Sequence, residues 1–236
     1  MDELRINNLK LILLNIGISK LNDNWNWKNI RSPFARIYFV TNGQAHIYFN
    51  KKMYVLKPGN LYLIPPLTLH SDECLSFFTH YYIHFYEKTD NKKSIFEKLD
   101  FPVEIVADSL DMLLVERLLK INPDRYLKNT DPKTYDNVAS FSQYIVDNNK
   151  IPTYSILETH SILCRLVSRF MKGAIQKSGY GDTRINKCLQ YIHENPDKNI
   201  TVSQLANISC ITEDYFCRIF KKQTNYTPVK YINLKK

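Results

Sequence analysis

The sequence predicts an α+β chain: an N-terminal antiparallel β-barrel, a helical dimerisation and packing region, and an all-α C-terminal segment. Three observations carry this. Short β-rich runs separated by turn signals fill Phe34 to Phe85, and apolar residues recur at helical spacing from Ala107 to Lys177. Two short helices with their own start signals then follow one another between Ile200 and Lys222. At 236 residues the chain can hold two modest domains, each with a buried core. The expected divisions are a barrel with an N-terminal arm over 1–106, the helical region over 107–177, a linker over 178–181 and the helical C-terminal segment over 182–236.

In chain order, Leu11 to Ile18 is apolar but is interrupted by Asn15, follows Asp2 and Glu3, and lacks a small-residue cleavage site. It reads as neither a signal peptide nor a membrane span. Arg36–Val40 and Ala45–Phe49 flank Asn42-Gly43, a hairpin signal. Met53–Leu56 and Leu61–Ile64 follow around Lys57-Pro58-Gly59-Asn60, and Phe77–Phe85 is an aromatic, nearly continuous run. Several short strands at close spacing suggest a small barrel or sandwich.

Helical patterning then takes over. Leu110, Leu113, Leu114, Leu118 and Leu119 form one apolar stripe. Val138, Phe141, Tyr144 and Ile145 form a second, and Ile156, Leu163, Leu166, Val167 and Phe170 a third, with Pro123, Pro132 and Pro152 at the breaks. Ser178-Gly179-Tyr180-Gly181 reads as a flexible linker. Asp182 or Thr183 caps a helix with Ile185, Leu189 and Ile192 on its buried side.

Thr201 opens a capping box with Gln204, and Val202, Leu205, Ala206 and Ile208 give that helix an apolar side. Thr212 starts a second helix with Glu213 and Asp214 at its positive end. At about 100° per residue, Tyr215, Phe216, Ile219 and Phe220 share one side, and Asp214, Cys217, Arg218 and Lys221 the other. This is a helix-turn-helix pattern, whose second helix lies in the major groove of double-stranded DNA. Arg218 is the best base reader, since a guanidinium can bond guanine O6 and N7 together. A net charge of +9 fits a polyanionic partner, and residues from Gly181 onward hold nine Lys/Arg against five Asp/Glu.

The run from Ile185 through Tyr231, with YIHEN, ITVSQLA, YFCRIFKK and TPVKYI in order, resembles the first half of the DNA-binding domain of AraC/XylS transcription regulators. Thr212 stands where that family usually has Ser, and Asn225 where it has Gly. The resemblance implies that Asp214, Cys217 and Arg218 read bases, with Thr201, Ser203, Lys221 and Lys222 at the DNA backbone. In GNLYLIPPLTLHSDEC, Gly59, Pro65 and His70 follow the second cupin motif, with Leu67 in place of its Gly and Cys74 in place of its Asn. With SPFARIYFV and HYYIHFYE, the passage is similar to the cupin-like sensor domain of AraC-type regulators.

That resemblance implies a small-molecule effector such as a sugar or other metabolite, and a homodimer formed through the helical region. Tyr38, His46, Tyr62, His70 and Tyr82 are the candidate lining of its pocket. Metal cupins need several His and an acid. Here the first-motif H-x-H is absent, His46 stands alone, and His80 and His84 share a strand face without an evident third partner. No cofactor, metal or enzymatic activity is therefore expected. Five cysteines without a C-x-x-C pair fit reduced thiols in the cytoplasm, and no basic amphipathic helix calls for a membrane.

The rival readings are a metal-dependent cupin enzyme and a truncated regulator that dimerises or binds effector but holds DNA poorly. The family has a second helix-turn-helix beyond the helix opened by Thr227-Pro228, and the sequence stops at Lys236. The expectation is a chain that binds DNA at low salt and loses specific binding near physiological salt.

Overall fold

The computed structural model describes residues 8–49, 51–89, 93–136, 140, 143–144, 151–177, 182–195, 198–224 and 226–233. The expected linker over 178–181, Val138, Phe141 and Ile145 of the second stripe, and Asn225 lie outside them. Two compact units result, Met1–Gln176 and Lys177–Lys236.

The first unit contains two main sheets. One has the order β1-β8-β3-β6-β10, formed by Leu11–Asn22, Phe77–Glu87, Ala35–Gly43, Asn60–Ile64 and Glu104–Val106. The other has the order β2-β7-β4-β5, formed by Asn26–Ile30, His70–Glu73, Ala45–Phe49 and Lys52–Leu56. Short β9 (Leu99–Asp100) and β11 (Ile175–Gln176) pair separately. The apolar N-terminal run, not expected as a strand, is β1, paired with β8 from Leu11↔Glu87 to Asn22↔Phe77.

Asn42-Gly43 does not close a hairpin. β3 pairs with β6 and β8, whereas β4 pairs with β5 and β7, so the turn carries the chain from one sheet to the other. Gly43 is needed for this passage. Its φ is +68°, and an added Cβ would sit 2.2 Å from the carbonyl oxygen of Phe77.

Both faces of the five-stranded sheet are covered, which is why β3 and β6 read as continuous apolar runs. Outward, Ile37, Phe39, Leu61, Leu63, Ile83 and Phe85 pack on α2 (Ser109–Ile121) and α4 (Thr153–Met171), chiefly Val115, Leu118, Leu163, Leu166 and Phe170. Inward, Tyr38, Val40, Tyr62, Ile64, Phe78 and Tyr82 meet Trp25, Ala45, Ile47, Phe49 and Leu56. Short helices α1 (Ile95–Lys98) and α3 (Pro132–Tyr135) lie between these elements in sequence.

The stripe expected on α4 is buried at Leu163, Leu166, Val167 and Phe170, whereas the one expected on α2 is rotated from its observed buried side. On α2 the buried positions are Asp111, Val115 and Leu118, with Leu110 and Leu113 exposed. Asp111 can be inside because it caps Asp108 N–H and receives Nε of Arg169 at 3.0 Å. On α4, Thr159 is buried and accepts from Asn122, leaving Ile156 outside.

The second unit is all helical: α5 (Thr183–Glu194), α6 (Val202–Ile208), α7 (Glu213–Thr224) and α8 (Pro228–Asn233). Asp182 caps α5, and the Thr201/Gln204 capping box forms as read from the sequence. Ile185, Cys188, Ile192, Leu205, Phe216, Phe220 and Ile232 make its core. Among the described residues no helix is long and apolar enough to cross a membrane.

Candidate functional site

In the helical unit, burial of Phe216 and Phe220 fixes how α7 is turned. Asp214, Arg218, Lys221 and Lys222 are exposed on it, as are Thr201 and Ser203 at the start of α6. Thr201 Oγ1 accepts from Gln204 N, so its hydroxyl hydrogen is still available to a phosphate. Cys217 is only partly exposed and packs on the core, and burial followed by the charges of Asp214 and Glu213 raises its thiol above the ordinary value. Its sulfur is half covered and stays protonated near neutral pH.

Tyr215 differs from expectation. Instead of turning inward with Phe216, it is exposed, and the guanidinium carbons of Arg218 and Arg184 lie 5.1 and 5.7 Å from its ring centre. Arg184, at the start of α5, is held by Asp182, which receives its Nε at 2.6 Å and also an Nη. Sequence reading missed Arg184. Its signal was the Asp-x-Arg spacing at a helix start, which serves a cap equally well.

The second site is the space between the sheets. Strand alternation sends Arg36 and Tyr38 from β3, His70 and Asp72 from β7, and His80, Tyr82 and His84 from β8 into it. Arg36 is 1 % exposed and bonds Asp136 Oδ2 at 3.2 Å, and the same oxygen accepts the Ser32 hydroxyl. Tyr38 and His80 meet edge to face at 4.8 Å, His80 stacks on Phe78 at 4.3 Å, and His84 lies 5.1 Å from Phe34 and 5.5 Å from Tyr135.

Hydrogen-bonding capacity in this space exceeds its use. Arg36 Nε, His70 Nε2, Asp72 Oδ1, His80 Nδ1, His84 Nδ1 and Asp136 Oδ1 are buried with no hydrogen-bond partner among the described residues. Groups of this kind are costly unless something polar meets them. Burial lowers His80 to about 3, and burial with the Arg36 charge lowers His70 to about 4. Burial, then the Arg36 charge, hold His84 well below its ordinary value too. Asp72 is pushed up by burial to about 7, against the pull of Arg36. His70 is therefore neutral near pH 7, and its Nε2, 3.9 Å from Asp72 Oδ1, makes no ion pair there.

Of the candidate pocket residues, the structure brings together Tyr38, His70 and Tyr82. Tyr82 crosses over Gly17, where an added Cβ would meet its hydroxyl at 2.3 Å, and accepts from Leu127 N at 2.8 Å. His46 does not join them. Ala45, Ile47 and Phe49 take the inner side of β4, so His46 and Tyr48 face outward. Tyr62 is buried, but its hydroxyl is engaged by Lys57 N, Val55 O and Glu104. Arg36, Asp72, His80, His84 and Asp136 were not foreseen as lining. Among the described residues no three His, Cys, Asp or Glu converge as a metal-binding group.

A separate cleft of about 650 Å³ is lined by Leu14, Ile121, Arg125, Leu127, Tyr135 and Tyr144 among others. Tyr135 belongs to both places. It lines this cleft and reaches Phe34, His84 and Arg36.

Comparison with known proteins accords with this two-part anatomy. Residues 16–88 match the AraC-like ligand binding domain, and residues 192–233 match the bacterial regulatory helix-turn-helix proteins of the AraC family. Among solved structures, a cupin-2 domain protein from Shewanella frigidimarina is 17% identical, covering 29% of this chain and 66% of its own, with a TM-score of 0.27. A cupin superfamily protein from Desulfitobacterium hafniense is 20% identical over 36% of this chain and 83% of its own, TM-score 0.28. A cupin 2 conserved barrel protein from Salinispora arenicola is 16% identical over 36% and 84%, also at 0.28. No curated protein matches.

The two domain matches define a DNA-binding transcription regulator that responds to an effector, rather than an enzyme. An AraC-like ligand-binding domain comes first and an AraC-family helix-turn-helix second.

Proposed function

We propose that the chain reads double-stranded DNA in sequence-specific fashion through the exposed side of α7, with Arg218 as the main base contact and Asp214 and Cys217 beside it. Thr201, Ser203, Lys221 and Lys222 take the backbone. The observation that carries this is the placement of Arg218, exposed opposite the buried Phe216 and Phe220 and laid along the Tyr215 ring, which limits its rotamers before DNA arrives. In the same reading the effector occupies the space between the sheets, where the unpartnered polar groups are. The chain acts in the cytoplasm, where its five free cysteines stay reduced.

Dimerisation is proposed through α2 and α4. Leu110 and Leu113 on one, and Tyr154 and Leu157 on the other, are left exposed, and the Arg117–Glu158 ion pair at 2.6 Å ties the two helices together. Competition binding tests the DNA reading. Arg218→Ala should lower specific over non-specific affinity by about 1–3 kcal/mol, the worth of one bidentate base contact. Lys221→Ala should weaken all sequences alike and reduce the salt slope. Equal loss on random and selected DNA for Arg218→Ala would make it a phosphate contact instead.

A further inference from the structure

Arg36 and Asp136 are a hundred positions apart and meet inside the first unit. Asp136 follows α3, whose C-cap it forms, and only one of its oxygens is used. That oxygen takes both the Ser32 hydroxyl and one Arg36 Nη, the latter at 3.2 Å, while Oδ1 and Arg36 Nε stay unpartnered. A guanidinium is best matched by a carboxylate presenting both oxygens to two parallel N–H groups. Tethered at the end of α3, Asp136 supplies a carboxylate in a one-oxygen pose.

Resting on the reading that the effector sits between the sheets, we propose that the effector is an organic carboxylate whose head displaces Asp136 from Arg36 and Ser32. Asp136 is then an in-chain stand-in for the ligand. Charge favours the exchange: one anion replaces another beside a buried guanidinium, whereas a neutral ligand displacing Asp136 would leave that cation unpaired and a cationic one would repel it. Space favours it too. Tyr135, adjacent in sequence, lines the 650 Å³ cleft and has its ring centre 6.0 Å from the Arg36 guanidinium carbon, so withdrawal of Tyr135-Asp136 would open the cleft toward the guanidinium. The cleft's Leu14, Ile121 and Leu127 would cover the body of the ligand, and Arg36 would hold its head.

Sodium acetate, titrated against sodium chloride at constant ionic strength, is the probe, with the thermal midpoint of the full chain as the readout. In Asp136→Asn the stand-in is neutral, and acetate should raise the midpoint saturably, at a half-saturating concentration at least about tenfold below that of the parent. Arg36→Met combined with Asp136→Asn should abolish the response. An Asp136→Asn chain that responds to acetate no more than the parent does, or no more than to chloride, overturns the proposal. If Asp136→Asn unfolds by itself, refolding in acetate but not chloride supports the proposal, and failure to refold in acetate overturns it. A parallel titration with neutral sugars separates the two readings. Saturable sugar binding that His84→Phe removes, with acetate inert, would sink the carboxylate and leave the interior as the effector site.

Discussion

The five-stranded sheet has two faces made from alternate residues of the same strands, and the two are finished differently. Outward, Ile37, Ile83 and Phe85 meet Val115, Leu163 and Leu166 in an apolar layer. Inward, Arg36, His80 and His84 are just as buried yet each holds a nitrogen with no hydrogen-bond partner among the described residues. Burial alone therefore does not mark a structural residue. The outer face stabilises the domain, while the inner face carries unsatisfied hydrogen-bonding groups at a cost in stability, the cost expected if they serve the proposed effector.

The largest effect expected from this contrast is on the outer face. Phe85→Ala should destabilise the chain by about 3–5 kcal/mol, because the packed layer cannot collapse around the lost ring. Denaturant unfolding measures it, and a loss below about 1 kcal/mol would mean the helix layer is loose.

The pH dependence is the next in size. Unfolded histidines take up protons near their ordinary 6.5, but folded His80 does not until about 3 and folded His70 until about 4. Their contribution is complete above pH 6.5 and is lost as pH falls toward those values. Asp72 has the opposite sign. Raised from 3.8 to about 7, it is protonated in the folded chain where the unfolded chain has ionised, so its contribution is lost as pH rises from 3.8 to 7. Three depressed histidines against one raised acid leave stability rising with pH between about 4 and 6.5. His80→Phe should remove about one proton from that slope, ~1.4 kcal/mol per pH unit. Melts across this range check it, and an unchanged slope would place His80 in contact with solvent.

Much of this anatomy was legible in the sequence. β3, β6 and β8 are continuous β-branched and aromatic runs because both sides of them are covered, and the capping box at Thr201 is a local signal. Local signals also misled. NWKNI and HSDE hold too few apolar residues to announce β2 and β7, and Asn42-Gly43 specifies a tight reversal without saying which strands it joins. The buried side of α2 was misjudged because Asp111, an acid, lies at its centre, and only the partner Arg169, far along the chain, permits that. The Arg36–Asp136 pair is likewise a fact of tertiary structure, with no periodicity to announce it.

The smallest expected effect sharpens the comparison most. His84→Phe exchanges a ring whose buried Nδ1 has no partner among the described residues for an apolar one among Phe34, Tyr82 and Tyr135, and should change stability by under about 1 kcal/mol, in either direction. Effector response should nevertheless disappear. A large destabilisation instead would show that His84 has a structural partner and that the two faces are not so different.

One measurement tests most directly whether α7 reads DNA. The full chain is used to select from a random double-stranded pool at low salt, about 0.05 M, where phosphate contacts are least screened. Enrichment of one defined site by the parent, absent with Arg218→Ala while bulk DNA binding remains, is the expected result. Retention of DNA without any sequence enrichment, or the same enriched site with Arg218→Ala, would contradict the assignment of α7 as the reading helix.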